Sequence, residues 1–320
     1  MNQNTAIKSL SADTLKGLSS KPRYLMSKYF YDNTGSALFQ EIMKIPEYYL
    51  TRCEEEILTT HKDAISKAIN FNEEPFSLIE LGSGDGQKTK ILLQSLVDIN
   101  VPFHYVPIDI SEKANIEITQ LMNYEIPELK VVPQTGDYFS HLGKINGTES
   151  IRKVILFLGS NIGNFNESET HRFLDKISEF TRPGDKILIG FDLKKSPALI
   201  LKAYNDSNGL TRRFNLNLLV RLNRELDANF DLEQFEHHPH YDPQTGEMKS
   251  YLISKEDQLV YIGAFDKTFR FKKWEPIFME LSRKFDFETI ENLAHQAGFM
   301  VKTNFTDRQN YFVDSLWVRE

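Results

Sequence analysis

Short apolar runs alternate with helical patterns through the middle of the chain. Runs of this kind are typical of strands that are buried on both faces of a sheet. They lie at residues 76–81, 103–110, 129–133, 154–158 and 186–193. Helical spacing occupies residues 88–97, 111–121 and 168–180 between them. This alternation predicts a parallel sheet covered by helices, that is, an α/β fold with a doubly wound, Rossmann-like architecture.

The two flanking regions have different patterns. Residues 1–75 are mostly helical in pattern, and apolar residues recur every fourth position from Phe214 to Leu226, which predicts a helix with one apolar stripe. Residues 236–272 resemble antiparallel strands with a turn at 242–246. A further helix and a closing strand pair complete the pattern, at residues 285–297, 299–305 and 311–318.

These patterns predict two domains, each built from two segments of chain. Residues 57–193 and 284–320 are expected to form the doubly wound domain. Residues 1–56 and 194–283 are expected to form an added α+β domain, because the strand–helix rhythm breaks after the fifth strand.

Composition narrows the classes of function. The chain has 38 basic and 45 acidic side chains, and this net charge of -7 argues against general nucleic-acid binding. No apolar run approaches the roughly 20 residues of a membrane span, and the start of the chain lacks the apolar segment of a signal peptide. We therefore expect a cytoplasmic monomer that acts on a small molecule and binds neither nucleic acid nor membrane.

Metal and disulfide sites are not expected. The single cysteine, Cys53, excludes an internal disulfide and any zinc site with several cysteines. His237, His238 and His240 have no other potential ligands clustered beside them, and we interpret them as exposed loop histidines.

A glycine-rich turn, residues 80–86 (ELGSGDG), lies between the first predicted strand and the first helix of the sheet. Glycines allow a sharp turn and close approach to a ligand, and the following helix offers free N–H groups. The third glycine comes one residue earlier than in the dinucleotide fingerprint, which disfavours a nicotinamide oxidoreductase, and a phosphate-binding Gly-Lys-Ser/Thr ending is absent. The alternative is a tight turn that binds no ligand.

Acidic residues follow the next two strands. Asp109 ends the second strand, where a carboxylate can accept both hydrogen bonds of a ribose diol. Asp137 follows the third strand, where it could contact an adenine amino group. A helix-capping role is the alternative for Asp109, although Ser111 is better placed for it, and an ordinary loop residue is the alternative for Asp137. Together with the glycine turn, these acids resemble class I S-adenosylmethionine-dependent methyltransferases.

Four longer strings and the glycine turn narrow this resemblance. They are residues 29–39 (YFYDNTGSALF), 46–52 (PEYYLTR), 157–165 (FLGSNIGNF) and 214–226 (FNLNLLVRLNREL). The chain closely resembles the histidine N-alpha-methyltransferase family of ergothioneine biosynthesis, which also includes fungal N-methyltransferases of tryptophan derivatives. The resemblance runs from about residue 20 to the end of the chain. It implies S-adenosylmethionine as the methyl donor, with no metal, and an added domain that selects the amino acid.

The resemblance implies a set of site residues. Five fall on the family's cofactor positions: Gly82, Lys88, Asp109, Asp137 and Tyr138. Seven fall on its substrate positions: Tyr31, Tyr48, Gly159, Asn164, Tyr204, Glu280 and Ser282.

Their implied roles differ. Gly159 and Asn164 hold the substrate backbone and Tyr204 its carboxylate. Tyr31 lies beside the amine and is the candidate catalytic residue, since it or a water could take the proton. Tyr48 lies on the imidazole side.

Glu280 and Ser282 match the pair that hydrogen-bonds the imidazole. The resemblance thus implies three methyl transfers to the α-amine of L-histidine, which give hercynine. An indole has one N–H and no acceptor, so it would use this pair poorly. Ser250 departs from the family pattern, which has a larger apolar side chain there.

Other interpretations remain open at this stage. The enzyme could act on tryptophan or another aromatic amino acid, or the chain could be an inactive homologue that binds a ligand. Tyr31, Tyr48 and Tyr204 could be packed core residues, Asn164 a turn residue and Glu280 a surface acid.

Overall fold

The computed structural model describes residues 3–72, 74–148 and 151–320. The chain forms two compact units. One comprises Leu50–Lys194 and Arg283–Glu320 and contains a seven-stranded sheet, and we call it the seven-stranded unit. The other comprises Met1–Tyr49 and Lys195–Ser282, and we call it the α+β unit. Each unit therefore draws on two separate segments of the sequence.

The helices and strands are numbered in chain order within the described residues. The helices are α1 (Gln3–Ser19), α2 (Asn33–Ile42), α3 (Tyr49–Ile69), α4 (Thr89–Asp98), α5 (Glu112–Glu125), α6 (Tyr138–Thr148), α7 (Glu167–Glu179), α8 (Pro197–Tyr204), α9 (Leu210–Leu226) and α10 (Phe287–Gln296). The strands are β1 (Arg23–Tyr24), β2 (Phe76–Leu81), β3 (Phe103–Asp109), β4 (Gln134–Thr135), β5 (Arg152–Phe157), β6 (Lys186–Asp192), β7 (Phe235–Asp242), β8 (Glu247–Ser254), β9 (Gln258–Ile262), β10 (Lys267–Phe271), β11 (Pro276–Arg283), β12 (Phe299–Thr306) and β13 (Phe312–Arg319).

The seven-stranded sheet has the order β12-β13-β6-β5-β2-β3-β4. Pairing is parallel from β6 to β4, and β13 is antiparallel to both β6 and β12. The chain winds outward in both directions from β2, so the predicted doubly wound α/β fold is confirmed. In such sheets, ligands bind beyond the carboxyl ends of the strands where the winding direction reverses. That point lies here between β2 and β5.

The third predicted strand was wrong in position. Residues 129–133 were expected to form it, whereas β4 is only Gln134–Thr135. The backbone around Val131 still pairs with Tyr105 on β3, because the Tyr105 N–H donates to the Lys130 carbonyl and the Val132 N–H donates to the Tyr105 carbonyl. Pro133 has no N–H to donate, and so the pairing is interrupted before β4 begins.

Both faces of the seven-stranded sheet are covered. Every residue of β2 and β6 is buried. Alternate residues of β2, β3, β5 and β6 pack against apolar side chains of α6, α7 and α10. On the opposite face of β6, a carboxylate from α3 lies against Gly190. The chain thus forms the three-layer arrangement that its continuous apolar strands predict.

The α+β unit contains a four-stranded sheet of order β1-β11-β8-β7 and a two-stranded sheet of β9 and β10. Strands β7 and β8 form the predicted hairpin, in which the Gly246 N–H donates to the Asp242 carbonyl over 2.8 Å. The apolar stripe of α9 is buried in one core with the inner residues of these strands. The helix that the four-residue spacing predicted is therefore present, and it begins at Leu210.

Neither a membrane-spanning helix nor a cluster of metal-binding side chains occurs in the described ranges. No helix there is long and apolar enough to cross a membrane. No group of three or more His, Cys, Asp or Glu side chains is arranged there to hold a metal ion. The interpretation of His237, His238 and His240 as loop residues was wrong, because all three lie on strand β7. His237 is also buried, at 8% exposed, whereas His238 and His240 are exposed as expected. Adjacent positions of a strand face opposite sides, which explains the difference.

Candidate active site

The glycine turn at the end of β2 is built around Gly82. Its φ is +76°, a conformation that favours glycine, and its N–H donates to the Ile108 carbonyl over 2.9 Å. A Cβ at this position would lie 2.7 Å from the Tyr138 hydroxyl oxygen. Gly82 therefore allows the phenol of Tyr138 to lie directly against the turn.

Three predicted cofactor residues surround this phenol. Burial and, to a smaller extent, the negative charges of Asp109 and Asp137 together raise the pKa of Tyr138 to about 12. Gly82, Asp109, Asp137 and Tyr138, which are separated by up to 56 positions in sequence (138 minus 82), thus lie together at the carboxyl edge of the sheet. A phenol with this pKa stays protonated at neutral pH and offers a hydrogen-bond donor.

Asp109 and Asp137 differ in how their carboxylates are used. Asp109 accepts the Ser111 N–H over 2.8 Å, while the Ser111 hydroxyl caps α5 by accepting the Ala114 N–H. Asp137 accepts the N–H groups of Phe139 and Ser140, both over 3.1 Å, at the start of α6. Ser111 and not Asp109 therefore caps α5, as the sequence favoured, whereas Asp137 bonds the first N–H groups of α6 and is not an ordinary loop residue. A role of either acid in cofactor binding is a proposal taken up below.

Glu80, the first residue of the glycine-turn string, is buried beneath the turn. Its Oε1 accepts the Thr89 hydroxyl over 2.6 Å, and its Oε2 accepts the Tyr105 hydroxyl. Burial raises the pKa of Glu80 to about 7, against the opposing effect of these two hydrogen bonds. Because both oxygens are used, Glu80 ties β2, β3 and the start of α4 together and fixes the path of the turn.

Lys88 and Gly159 are joined by Glu54, which was not among the site residues predicted from the sequence. Glu54, on α3, accepts the Gly159 N–H over 2.6 Å with Oε1 and the Lys88 ammonium with Oε2. Gly159 itself has a φ of +77°, and a Cβ there would lie 3.9 Å from the Lys88 Nζ. The structure therefore brings Lys88 and Gly159 together at the carboxyl ends of β2 and β5.

The segment after β5 forms a short 3₁₀ helix, Asn161–Asn164. The Asn161 amide donates to the Leu158 carbonyl over 2.8 Å and also lies near Gly82. Gly163 packs so closely that a Cβ would lie 2.8 Å from the Arg283 carbonyl oxygen. Asn164 ends this helix with an exposed side chain, so its amide is accessible to a ligand.

In the α+β unit, four of the five predicted residues interact. Tyr204, at the end of α8, donates from its hydroxyl to the Ser282 hydroxyl over 2.7 Å, and both side chains are buried. Burial raises the pKa of Tyr31, and the charge of Glu280 and the phenol of Tyr204 raise it further. Tyr31 nevertheless remains 47% exposed. Neighbouring residues therefore pack around the Tyr31 phenol, and part of the side chain remains accessible to solvent.

Aromatic rings connect the fifth residue, Tyr48, to Tyr31. The Tyr31 ring meets those of Phe39 and Phe214 edge-on, each with centroids 5.5 Å apart. Phe39 in turn meets Tyr48 at 6.1 Å. Phe39 and Phe214 were absent from the predicted site, although both lie in strings that carry the resemblance.

The turn before α2 explains part of the 29–39 string. Asp32 caps α2 by accepting the Gly35 N–H over 2.8 Å, and its carboxylate also accepts hydrogen bonds from Asn217 and Arg224 of α9. A Cβ at Gly35 would lie 1.7 Å from the Phe30 carbonyl oxygen. These contacts fix the backbone on both sides of Tyr31, so several residues of the string hold that tyrosine in place.

Known proteins with similar sequences identify the family of this chain. A family model described as histidine-specific, SAM-dependent methyltransferase matches residues 10–319. The chain belongs to this family. A histidine N-alpha-methyltransferase of Mycolicibacterium smegmatis is 34% identical over 316 residues, which cover 99% of this chain and 97% of the relative. One from Mycobacterium tuberculosis is 35% identical over 307 residues, which cover 96% and 94%.

A third relative is ergothioneine biosynthesis protein 1 of Schizosaccharomyces pombe, which is 30% identical over 289 residues, covering 88% of this chain and 37% of that protein. The family resemblance predicted from the sequence strings is confirmed, and with it S-adenosylmethionine as the cofactor of this methyltransferase family. The geometry fits that cofactor, because a Cβ at Gly84 in the glycine turn would meet nothing within 4 Å, which leaves open space beside Asp109, the acceptor of the Gly84 N–H.

Within this methyltransferase, Ser250 lies on β8 opposite Pro239 of β7 and is 1% exposed. Its effect on the shape of the amino-acid site stays a prediction.

Glu54 could have been found from the sequence. Helical spacing places it with Leu50, Ile57 and Leu58 on the apolar face of α3, and a lone acid on such a face signals a specific partner.

Proposed function

We propose that this methyltransferase transfers three methyl groups in succession to the α-amino nitrogen of L-histidine and so produces hercynine, an intermediate of ergothioneine biosynthesis. The observation that carries the proposal is the grouping of Tyr31, Tyr204, Glu280 and Ser282 in one unit of a histidine-specific family. The seven-stranded unit would bind S-adenosylmethionine, and the α+β unit would provide most of the selectivity for the amino acid.

The imidazole is recognised by Glu280 and Ser282 in this proposal. Glu280 accepts one ring N–H, and the Ser282 hydroxyl serves the other ring nitrogen. The Ser282 hydroxyl accepts a hydrogen bond from Tyr204, and we propose that it donates its own proton to the acceptor nitrogen of the ring. An indole cannot accept that hydrogen bond, and the unsatisfied polar group would make its binding costly.

The amine is placed beside Tyr31. S-Adenosylmethionine supplies an electrophilic methyl group, and the protein must align the amine lone pair with it. Because burial and Glu280 raise the pKa of Tyr31, its phenol remains neutral, and its oxygen accepts a hydrogen bond from the amine. The amine proton then passes to water. Tyr31 and its ring neighbours also suit the quaternary ammonium that the third transfer would produce, since aromatic faces attract such cations.

Neutral hydrogen-bond donors can hold the carboxylate of the substrate. Asn164 offers an exposed amide, and because the Gly159 N–H donates to Glu54, the Gly159 carbonyl is the backbone group proposed to contact the substrate. Tyr204 is proposed to assist at the carboxylate by turning its hydroxyl from Ser282 to the substrate, and Tyr48 to border the imidazole through the aromatic cluster. On the cofactor side, Asp109 would bind the ribose diol, Asp137 and Tyr138 the adenine region, and Gly82 and Lys88 the amino-acid portion.

The oligomeric state and the cellular location of the enzyme are also proposed. We propose a cytoplasmic enzyme that acts as a monomer on the free amino acid, without a nucleic-acid or membrane partner. The net charge of -7 supports the part of this proposal that excludes a nucleic-acid partner. Light scattering of the purified chain at several concentrations tests the monomer, and a mass of two chains would contradict it.

Ligand-dependent stabilisation tests the choice of substrate before any turnover is measured. The melting temperature is recorded with S-adenosylhomocysteine present and with histidine, tryptophan, phenylalanine or tyrosine added in turn. A ligand that binds only the folded protein raises its stability with concentration. We expect the largest shift with histidine. A larger shift with tryptophan would contradict the proposed substrate and support the aromatic alternative.

A further inference from the structure

Glu54 links two residues that are proposed to serve different ligands. Its side chain is 0% exposed, and its two oxygens have separate partners: the Gly159 N–H and the Lys88 ammonium. Lys88 belongs to the proposed cofactor site, and Gly159 to the proposed substrate site. One carboxylate on α3 therefore fixes a residue of each site within the seven-stranded unit.

The fold leaves specific room for this carboxylate. Gly190, in the middle of β6, lies so close that a Cβ there would be 2.5 Å from the Glu54 Oε1. The backbone of Gly190 has no left-handed conformation that would require glycine. The absence of a side chain at Gly190 is thus explained by the space that Glu54 and the neighbouring Phe312 ring occupy.

Glu54 is also the acid that balances the charge of Lys88. Burial alone would lower the pKa of Lys88, but the negative charge of Glu54 raises it above its ordinary value. Asp314 lies close by, and neither of its oxygens has a hydrogen-bond partner within the described residues. Burial, followed by the charge of Glu54, raises the pKa of Asp314 well above its usual range.

Lys88 is the only cation among the five proposed cofactor residues. S-Adenosylmethionine and S-adenosylhomocysteine each carry one carboxylate, whereas their ribose and adenine groups are uncharged. An ammonium group complements a carboxylate, while Asp109 and Asp137 suit the uncharged donors. Given the proposed cofactor site, the partner of the Lys88 ammonium is therefore the ligand's carboxylate.

We propose that Glu54 is a positioning residue, which fixes the Lys88 ammonium toward the cofactor carboxylate and the Gly159 backbone beside it. This inference rests on the proposed cofactor site. It assigns Glu54 no contact with the substrate or the cofactor. It predicts that Glu54 matters for ligands that have the amino-acid portion of the cofactor and not for ligands that lack it.

Calorimetric binding of two ligands tests this. S-Adenosylhomocysteine has the carboxylate, and 5′-methylthioadenosine shares its adenosine and sulfur but lacks the amino-acid portion. Glu54→Gln is expected to weaken S-adenosylhomocysteine binding at least tenfold and to change 5′-methylthioadenosine binding less than twofold. Lys88→Met should show the same selectivity. In the Lys88→Met background, Glu54→Gln should add little, because both changes remove the same contact.

Glu55→Gln is the matched control, because Glu55 is the next residue of α3 and is exposed; it should leave both affinities unchanged. Gly190→Ala is a second variant, which displaces the Glu54 carboxylate without removing it and should show the same selective loss. Circular dichroism establishes that each variant is folded.

Equal weakening for both ligands in folded variants would overturn the inference and show a purely structural role. Unchanged or tighter S-adenosylhomocysteine binding by Glu54→Gln would also overturn it. If the unaltered protein binds neither ligand, the proposed cofactor site fails, and the inference fails with it. These outcomes separate an error about Glu54 from an error about the site.

Discussion

The hydroxyl of Tyr204 donates to the hydroxyl of Ser282 over 2.7 Å, with both side chains buried. This bond joins the end of α8 to β11 inside the α+β unit. We propose that Ser282 in turn donates its proton to the acceptor nitrogen of the histidine imidazole.

Tyr204→Phe should weaken histidine recognition. The change removes the hydroxyl that bonds Ser282 and is proposed to reach the substrate carboxylate, which costs about 1 kcal/mol, or roughly fivefold in KM for histidine, with a smaller effect on kcat. Steady-state kinetics with saturating S-adenosylmethionine measures the two constants. Tyr261→Phe is the control, since that hydroxyl contacts Asp266 at the surface. An unchanged KM for Tyr204→Phe would contradict the role.

Glu280→Ala should reduce kcat/KM for histidine, while kcat/KM for tryptophan and other aromatic amino acids should remain low. Loss of a charged hydrogen bond to the ring costs about 2 kcal/mol, or roughly 30-fold. Glu236→Ala, at an exposed position of β7, serves as the control. Full histidine activity in Glu280→Ala would argue for an indole substrate, because an indole does not need this pair of side chains.

Asp109→Asn should weaken every ligand that contains the ribose diol. The amide can accept only one of the two hydroxyl hydrogen bonds through its oxygen, so we expect a loss of about 2 kcal/mol, or roughly 30-fold, for S-adenosylhomocysteine. 5′-Methylthioadenosine should weaken equally, in contrast to the Glu54 variants. Asp98→Asn, at an exposed position of α4, is the control. Unaltered affinity in Asp109→Asn would remove this residue from the cofactor site.

His237 should make the protein sensitive to acid. Burial lowers its pKa to about 4, from an ordinary value of 6.5, and its Nε2 has no hydrogen-bond partner in the described part of the chain. Since the unfolded chain binds the proton more readily, this residue destabilises the fold as the pH falls from about 6.5 to about 4. The full effect is about 3 kcal/mol.

His237→Phe retains a ring and removes the titration. Urea unfolding between pH 7 and pH 4 should therefore show a gain in the stability of this variant, relative to the unaltered protein, as the pH is lowered. His238→Phe, on the exposed side of the same strand, should show no such gain. Parallel stability curves for His237→Phe and the unaltered protein would contradict the assignment.

The sequence predicted the sheet more successfully than the contacts within the site. The buried strands are continuous apolar runs, and the stripe from Phe214 to Leu226 has helical spacing, so local patterns were sufficient for both. The edge strand β4 was misplaced, because two residues carry almost no pattern and Pro133 interrupts the pairing. His237 was interpreted as an exposed loop residue because no other potential ligands cluster beside it. It lies on β7, where the alternation of side chains along the strand buries it.

The glycine turn, Asp109 and Asp137 could be proposed from their places after the predicted strands, whereas the substrate residues could be named only through the family resemblance. Their contacts depend on pairs that are distant in the chain, such as Tyr204 with Ser282 and Glu54 with Gly159, whose separations are 78 and 105 residues. No local pattern contains such distances. Glu54 could have been selected from the sequence as an acid on the apolar face of a helix. Its partners, Lys88 and Gly159, could be recognised only from the folded structure.

The most direct test of the proposed function is the product formed from histidine. The purified protein is incubated with L-histidine and excess S-adenosylmethionine, and the products are examined by mass spectrometry with fragmentation to locate the added methyl groups. The proposal predicts that histidine gains three methyl groups, all on the α-amino nitrogen. Histidine that stays unmethylated while another aromatic amino acid is methylated, or methylation on the imidazole ring, would contradict it.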